Sequence, residues 1–281
     1  MKFRLYREHG ALNSKEIFDA FEQGLRTLGL PITYSDDGIP VIWSVLWQGR
    51  MARNRNVYHN AVNRNQPVVI IEVGNLVRGQ TWRVSLNHVN QQGFFANNID
   101  IDYDRHSKLQ LKLNPLNIKR SSTILIAAQH ERSLQWEGQP AMSAWVLKTV
   151  EAIRQHTDRP IVVRPHPRSP FSFSYPKVRM TTPQRVPNTY DDFNIDYGMH
   201  CVVNYNSGPG VQAAIEGTPV VVDRTSLAAP ISDVLKNIEN PQLPDRTEWF
   251  ARLCHTEWTR EEIAQGMPLR RLLPEIERRM P

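Results

Sequence analysis

Two short stretches carry residues suited to holding an anion. The first is Arg164-Pro165-His166-Pro167-Arg168, which follows the apolar run Ile161-Val162-Val163. Two guanidiniums can pair bidentately with phosphate oxygens, and the flanking prolines stiffen the imidazole between them. The second is Asn206-Ser207-Gly208-Pro209-Gly210, which follows Cys201-Val202-Val203 and leads into Ala213-Ala214-Ile215, with Gly217 as the stop. Pro209 suits the start of a helix, where a missing N–H costs nothing. Gly210 admits the close approach of a ligand or a backbone. A helix whose amino end emerges beside Ser and Gly offers free N–H groups and a positive dipole end to a negative group. The chemistry implied is recognition of the phosphates of a nucleotide or nucleotide-sugar, by Arg164, His166, Arg168, Asn206, Ser207, Gly208 and Gly210. Gln129, His130, Arg132 and Ser133 follow a third apolar run, Ile124 to Ala128, and are expected to face the same place.

Those residues need strands to end beside one another. Apolar runs too short for helices predict strands at Lys2–Tyr6, Val41–Leu46 and Val68–Val73, then at Thr123–Ala128, Ile161–Val163, Cys201–Asn204 and Pro219–Val222. Helices are predicted over Ser14–Leu28, roughly Arg53–Asn63, and Ala141–Gln155, with Ser14 as N-cap and Gly29 as stop for the first. Thr259-Arg260-Glu261-Glu262 reads as a capping box opening a late helix that Gly266 ends. A last helix, Leu269–Arg279, could pack back on the first half, with Pro274 kinking it or delaying its start. The alternation predicts parallel α/β units in both halves, with ligands at the carboxyl ends of the strands. Domains are read as 1–118 and 119–281.

The chain has 281 residues, is 40% hydrophobic and carries a formal charge of +6. Such a composition is that of a globular protein, and no apolar stretch reaches the length of a membrane span. The amino terminus alternates and reads as a strand rather than a signal peptide. Cys201 and Cys254 make neither a disulfide framework nor a zinc site, which fits a reducing cytoplasm. The charge is uneven. Residues 1–120 hold sixteen Lys and Arg against ten Asp and Glu, while residues 121–281 hold eighteen of each. Arg50, Arg53, Arg55, Arg64, Arg78 and Arg83 crowd one stretch with a single acid, Glu72. Trp47 lies just before them, and Tyr58 and Trp82 among them. Arginine interleaved with aromatics is the composition of a nucleic-acid surface. A solvated helix face would read the same way.

The carboxyl-terminal motifs, Arg-Pro-His-Pro-Arg and then Asn-Ser-Gly-Pro-Gly-x-x-Ala-x-x-x-Gly-Thr-Pro-Val, resemble the second half of GT-B glycosyltransferases. They are similar to the capsule and Kdo-type, sialyl and polysialyl enzymes. That resemblance implies two Rossmann-like domains facing a central cleft, with His166 and Ser207 in the donor site. The amino-terminal segments Ile42–Trp47, Pro67–Gly74 and Thr81–Asn87 resemble phage-encoded glycosyltransferases that modify hydroxymethylated pyrimidines in DNA. So do Glu248-Trp249-Phe250 and His255–Thr259. This second resemblance implies a double-stranded DNA acceptor, a base flipped from the stack, and a host-cytoplasmic location. Arg50, Arg53, Arg55, Arg78 and Arg83 would then hold the backbone, and Trp47 or Trp82 would stack on or replace the base.

Transfer from a nucleotide-sugar, taken here as UDP-linked, needs the leaving phosphate stabilised and, for inversion, a carboxylate to accept the acceptor's proton. Glu72 is the first candidate base, because it closes an apolar run and is the sole acid of the basic stretch. It could instead pair structurally with a neighbouring arginine. Asp100 is the second candidate. Asp100-Ile101-Asp102-Tyr103-Asp104 contains two D-x-D pairs, but it follows Asn97-Asn98, a loop signal, and is assigned no metal. No cofactor and no membrane partner are expected. The alternatives are a capsular or cell-surface polysaccharide glycosyltransferase and a non-catalytic nucleic-acid-binding protein.

Overall fold

In the computed structural model, which describes residues 1–280, the short apolar runs become two five-stranded sheets. The first part of the chain gives β1 (Phe3–Leu5), α1 (Lys15–Thr27), β2 (Ile39–Trp43), α2 (Asn54–Asn63), β3 (Val69–Val73), β4 (Thr81–Leu86) and the short α3 (Arg105–Lys108). Then come β5 (Ile124–Ala127), α4 (Met142–Arg154), β6 (Ile161–Arg164), β7 (Val178–Met180), β8 (Cys201–Asn204), α5 (Gly208–Ile215) and β9 (Val220–Val222). The tail gives α6 (Thr247–Cys254), β10 (Glu257–Thr259), α7 (Arg260–Ala264) and α8 (Met267–Arg279). The protein is mixed α/β.

By packing, the chain divides into two units. One holds Met1–Arg105, Arg132–Gln135 and the chain from Ala251 onward; the other holds His106–Glu131 and Trp136–Phe250. The first unit's sheet runs β1-β2-β3-β4-β10. Its first three strands are parallel, but β4 is antiparallel to β3 and β10 antiparallel to β4. The expectation of parallel units in both halves fails here for a steric reason. The connection Gly74 to Gln80 is too short for a crossover, so β4 must fold straight back. On one face Ile17, Phe18, Phe21 and Leu25 of α1 pack with Trp43, Ile71, Val84 and Trp258, joined by Leu269, Leu272 and Ile276 of α8. Gly29 ends α1 with φ +67, a value that favours glycine. Thr259 and Glu262 form a reciprocal capping box at α7. Pro274 lies inside α8, which starts at Met267 with another proline in its first turn. Arg105 ties the tail down: Nε donates to the Cys254 carbonyl at 2.7 Å, Nη2 to that of Glu257 at 2.8 Å, and Nη1 to Glu262 at 2.5 Å.

The second unit's sheet is wholly parallel, in the order β7-β6-β5-β8-β9. Its strands are buried on both faces, which is why they read as unbroken apolar runs. Met142, Val146, Val150 and Ile153 of α4 pack on Ile124, Ile126, Ile161, Val163 and Cys201. Cys201 and Cys254 are free and buried, and burial pushes both thiols up to about 12. Among the described residues no helix is long and apolar enough to cross a membrane.

Candidate functional site

The pairing of β5 with both β6 and β8 fixes the geometry of the second unit. Ala127 pairs with Arg164 on one side and with Asn204 on the other, and Asn204 pairs with Val222. The segments following these strands therefore leave the same edge of the sheet. They are Ala128-Gln129-His130, Pro165 to Arg168, Tyr205 to Gly208, and Asp223 to Ser226.

Asn204 organises the turn into α5. Only 2% exposed, it donates from Nδ2 to the Ala127 carbonyl at 2.8 Å and to Ser207 Oγ at 2.9 Å. Its Oδ1 accepts the Ser207 N–H at 3.0 Å. Gln129 Oε1 accepts the Asn206 N–H at 3.1 Å, and Asn206 Nδ2 donates to Thr225 Oγ1 at 2.9 Å. Ser207 is the N-cap of α5, in an extended conformation, yet its side chain caps no helix N–H. Its oxygen is engaged by Asn204, which aligns the hydroxyl at the head of the helix. Gly208 is the first helical residue. Gly210 is closely packed. A Cβ there would meet Val222 Cγ1 at 2.9 Å and Asn204 Oδ1 at 3.2 Å.

His166 faces this turn's neighbour, His130. Their rings stand edge to face with centroids 5.1 Å apart. The Arg168 N–H donates to His166 Nδ1 at 3.1 Å, so the neutral ring carries its proton on Nε2. Arg168 itself pairs with Asp191. Arg164 has a different task from the one its motif suggested. It is buried, and its Nε and Nη2 donate to the Asn194 carbonyl at 3.1 and 2.7 Å. Burial draws the guanidinium below its ordinary range. It anchors the loop before β8 instead of presenting its fork to a ligand. Arg132 also departs from its expected place. Its carbonyl accepts the Trp47 N–H at 2.7 Å, Ser133 bridges to Leu46, and the Leu134 N–H reaches the Val45 carbonyl at 2.9 Å. Segment 132–135 thus belongs to the first unit.

In that unit Glu72 ends β3 beside Ser44. Ser44 Oγ donates to Glu72 Oε2 at 2.7 Å and the Val45 N–H to the same oxygen at 3.3 Å, while the Val73 N–H reaches Oε1 at 2.9 Å. Ser44 holds φ +64 while buried, a strained conformation of the kind found at functional positions. The alternative reading of Glu72, an ion pair with a neighbouring arginine, is answered by Arg83. That residue lies opposite Glu72 on β4 and opposite Glu257 on β10. It gives Nη2 to Glu257 at 3.0 Å and Nη1 to the Val89 carbonyl at 3.0 Å. Glu257, fully buried, also accepts from Asn75 N, Leu76 N and Thr81 Oγ1, at 2.8, 2.9 and 2.8 Å. It therefore fixes the turn that follows Glu72.

Arg83 is buried in that network and Trp82 in the core, so neither lies on a surface that could grip a polymer. Arg50, Arg53, Arg55 and Arg78 are exposed. Trp47 is half-buried against Tyr58, ring centroids 6.0 Å apart. Asp100 is exposed with φ +45. Its carbonyl meets Arg271 at 3.5 Å, and no hydrogen bond joins it to Glu72 or its partners. Asp102 Oδ1 accepts the Asp104 N–H at 2.9 Å, a local turn. Among the described residues no group of three or more His, Cys, Asp or Glu is placed to hold a metal ion. The sequence reading missed Asn204, Thr225 and Asn194. For Asn204 the signal was there: an Asn closing an apolar strand just ahead of an Asn-Ser-Gly turn.

The fold is one that solved transferase structures share. No family model and no curated protein matches the sequence, but solved structures share its architecture. One is "KpsC, beta Kdo 2,7 transferase" of Thermosulfurimonas dismutans, with a TM-score of 0.50 and 13% identity over 96% of this chain and 99% of that one. Another is "KpsC, beta Kdo 2,4 transferase" of the same organism, with a TM-score of 0.55 and 14% identity over 90% of this chain and 89% of that one. At such identities the likeness carries the fold.

Proposed function

We propose that this protein is a nucleotide-sugar-dependent glycosyltransferase of GT-B type, acting on a saccharide acceptor of the capsular kind. The observation that carries the reading is the edge of the parallel sheet. There the Asn204-braced Ser207 and the amino end of α5, which follow β8, and the oriented His166, which follows β6, leave the same edge on either side of β5. The donor's phosphates would take hydrogen bonds from Ser207 Oγ, the Gly208 N–H and His166 Nε2. These groups meet the negative charge that grows on the leaving phosphate as its bond to the anomeric carbon breaks. The acceptor hydroxyl forms the new bond, and Glu72, oriented by Ser44 and two main-chain N–H groups, takes its proton. No cofactor is assigned, and a UDP-linked sugar is the first donor to try. The likeness to two Kdo transferases supports the saccharide acceptor.

One observation favours a second acceptor. Arg50, Arg53 and Arg55 are exposed on consecutive turns leading into α2, close in sequence to half-buried Trp47. That suits the backbone of DNA bearing hydroxymethylated pyrimidines. Incubation with a panel of nucleotide-sugars, followed by mass spectrometry of an anionic oligosaccharide and of hydroxymethylated DNA, separates the two. A hexose-sized or larger mass gain on the oligosaccharide alone supports the first reading, and a gain on DNA alone the second. No gain on any acceptor, with the donor left intact, contradicts both.

A further inference from the structure

The amino-terminal edge of the second sheet, opposite the candidate donor site, holds a cavity of about 350 Å³ lined by Ile118, Arg120, Ser121, Ser122, Arg159 and His200. The strand register assembles it. Ile124 pairs with both Ile161 and Cys201, so the residues just before β5, β6 and β8 share one rim. We propose that this cavity binds an oxyanion, the phosphate or carboxylate group of a saccharide or sugar phosphate.

Charge is the first argument. Arg159 is balanced by Glu239, Nη2 to Oε1 at 2.9 Å. Arg120 has no carboxylate partner among the described residues, and its Nη1 donates to the Asn117 carbonyl at 3.0 Å. The lining residues include no acid. Unsatisfied donors are the second. The Nε of Arg120 and that of Arg159 are both buried with no hydrogen-bond acceptor among the described residues, so neither guanidinium has its full set of partners within the protein. His200 reports the field these groups make. Its Nε2 meets the Ile238 carbonyl at 2.9 Å. Burial disfavours its protonation most and the hydrogen bond to the Ile238 carbonyl favours it; the Arg159 and Arg120 charges then disfavour it, against a weaker pull from Glu239. Size and lining are the third argument. The volume lies at the lower end of small-ligand pockets, beyond what a bare phosphate needs. Exposed Ile118 offers an apolar wall to a sugar ring, and Ser122 a hydroxyl at the rim.

The inference stands apart from the donor-site reading, and the test keeps them apart. Calorimetry on the full chain would titrate glucose 1-phosphate, glucuronate and, as neutral control, glucose. At least one of the two anions should bind and glucose should not; which one binds identifies phosphate or carboxylate as the preferred group. Arg120→Gln should weaken that binding about tenfold or more, the loss of one charge-assisted bond. Ser122→Glu, at an exposed position, should do the same by repulsion while leaving both arginines in place. His166→Ala should leave the affinity unchanged. Failure of both anions to bind overturns the proposal. So does binding that survives both rim substitutions, or binding that is lost with His166→Ala.

Discussion

Glu72 and Ser207 show how little of a residue's role lies in its type alone. Glu72 sits opposite Arg83, the ordinary arrangement for a structural pair, yet Arg83 is spent on buried Glu257 and on the Val89 carbonyl. Glu72 keeps its carboxylate for Ser44 and two main-chain N–H groups. If it is the base, Glu72→Gln should keep the Ser44 and Val45 contacts through its amide oxygen, lose the acceptor for the Val73 N–H, and slow transfer by roughly 10²–10⁴-fold. Nucleotide-sugar affinity should not change. Steady-state rates with a working donor and acceptor would check this, and full activity in the variant would move the role elsewhere. Ser207 and His166 were legible as site candidates because an Asn-Ser-Gly turn and a Pro-His-Pro stretch each follow an apolar run. Arg164 was misread because burial is invisible in a motif: the same guanidinium that fits phosphate also fits a main-chain carbonyl.

Among the elements, the strands and helices that position the site follow from local rules. α1 shows its amphipathic spacing and its glycine stop, and α7 its capping box. The parallel strands of the second sheet show as apolar runs. What the sequence hid was pairing at a distance. β10 joins β4 through Glu257 and Arg83 across most of the chain, and segment 132–135 rests on Val45 to Trp47. No periodicity encodes either. The seat of α5 on the sheet is a second such case. Gly210 is needed because the helix start presses on Asn204 and Val222. Gly210→Ala should destabilise the protein by about 1–3 kcal/mol, as overpacking does. Adding Val222→Ala should recover part of the loss. Urea unfolding of the two variants would measure it, and an unchanged midpoint in Gly210→Ala would show that the contact is loose.

Across the whole molecule, histidines that are buried or half-buried should couple stability to pH. Burial lowers the pKa of His88, His200 and His255 from the ordinary 6.5. The folded chain then holds fewer protons than the unfolded chain once pH falls to that value. Their contribution is complete above 6.5 and is lost as pH drops through 6.5 toward the lowered folded values. Urea midpoints at about pH 7.5 and about pH 5.5 should therefore differ, with the acid sample weaker; equal midpoints would contradict the assignment. The mixed α/β class was legible at this scale. The antiparallel half of the first sheet was not, because the length of one connection decides it. The central claim is that the carboxyl edge of the parallel sheet binds a nucleotide-sugar, and calorimetry tests it most directly. Titrated with UDP-, GDP- and CMP-linked sugars, the wild-type chain should bind at least one. His166→Ala and Ser207→Ala should each weaken that donor by about 1–3 kcal/mol while staying folded. Binding of no nucleotide-sugar, or binding that both variants leave untouched, would contradict the account.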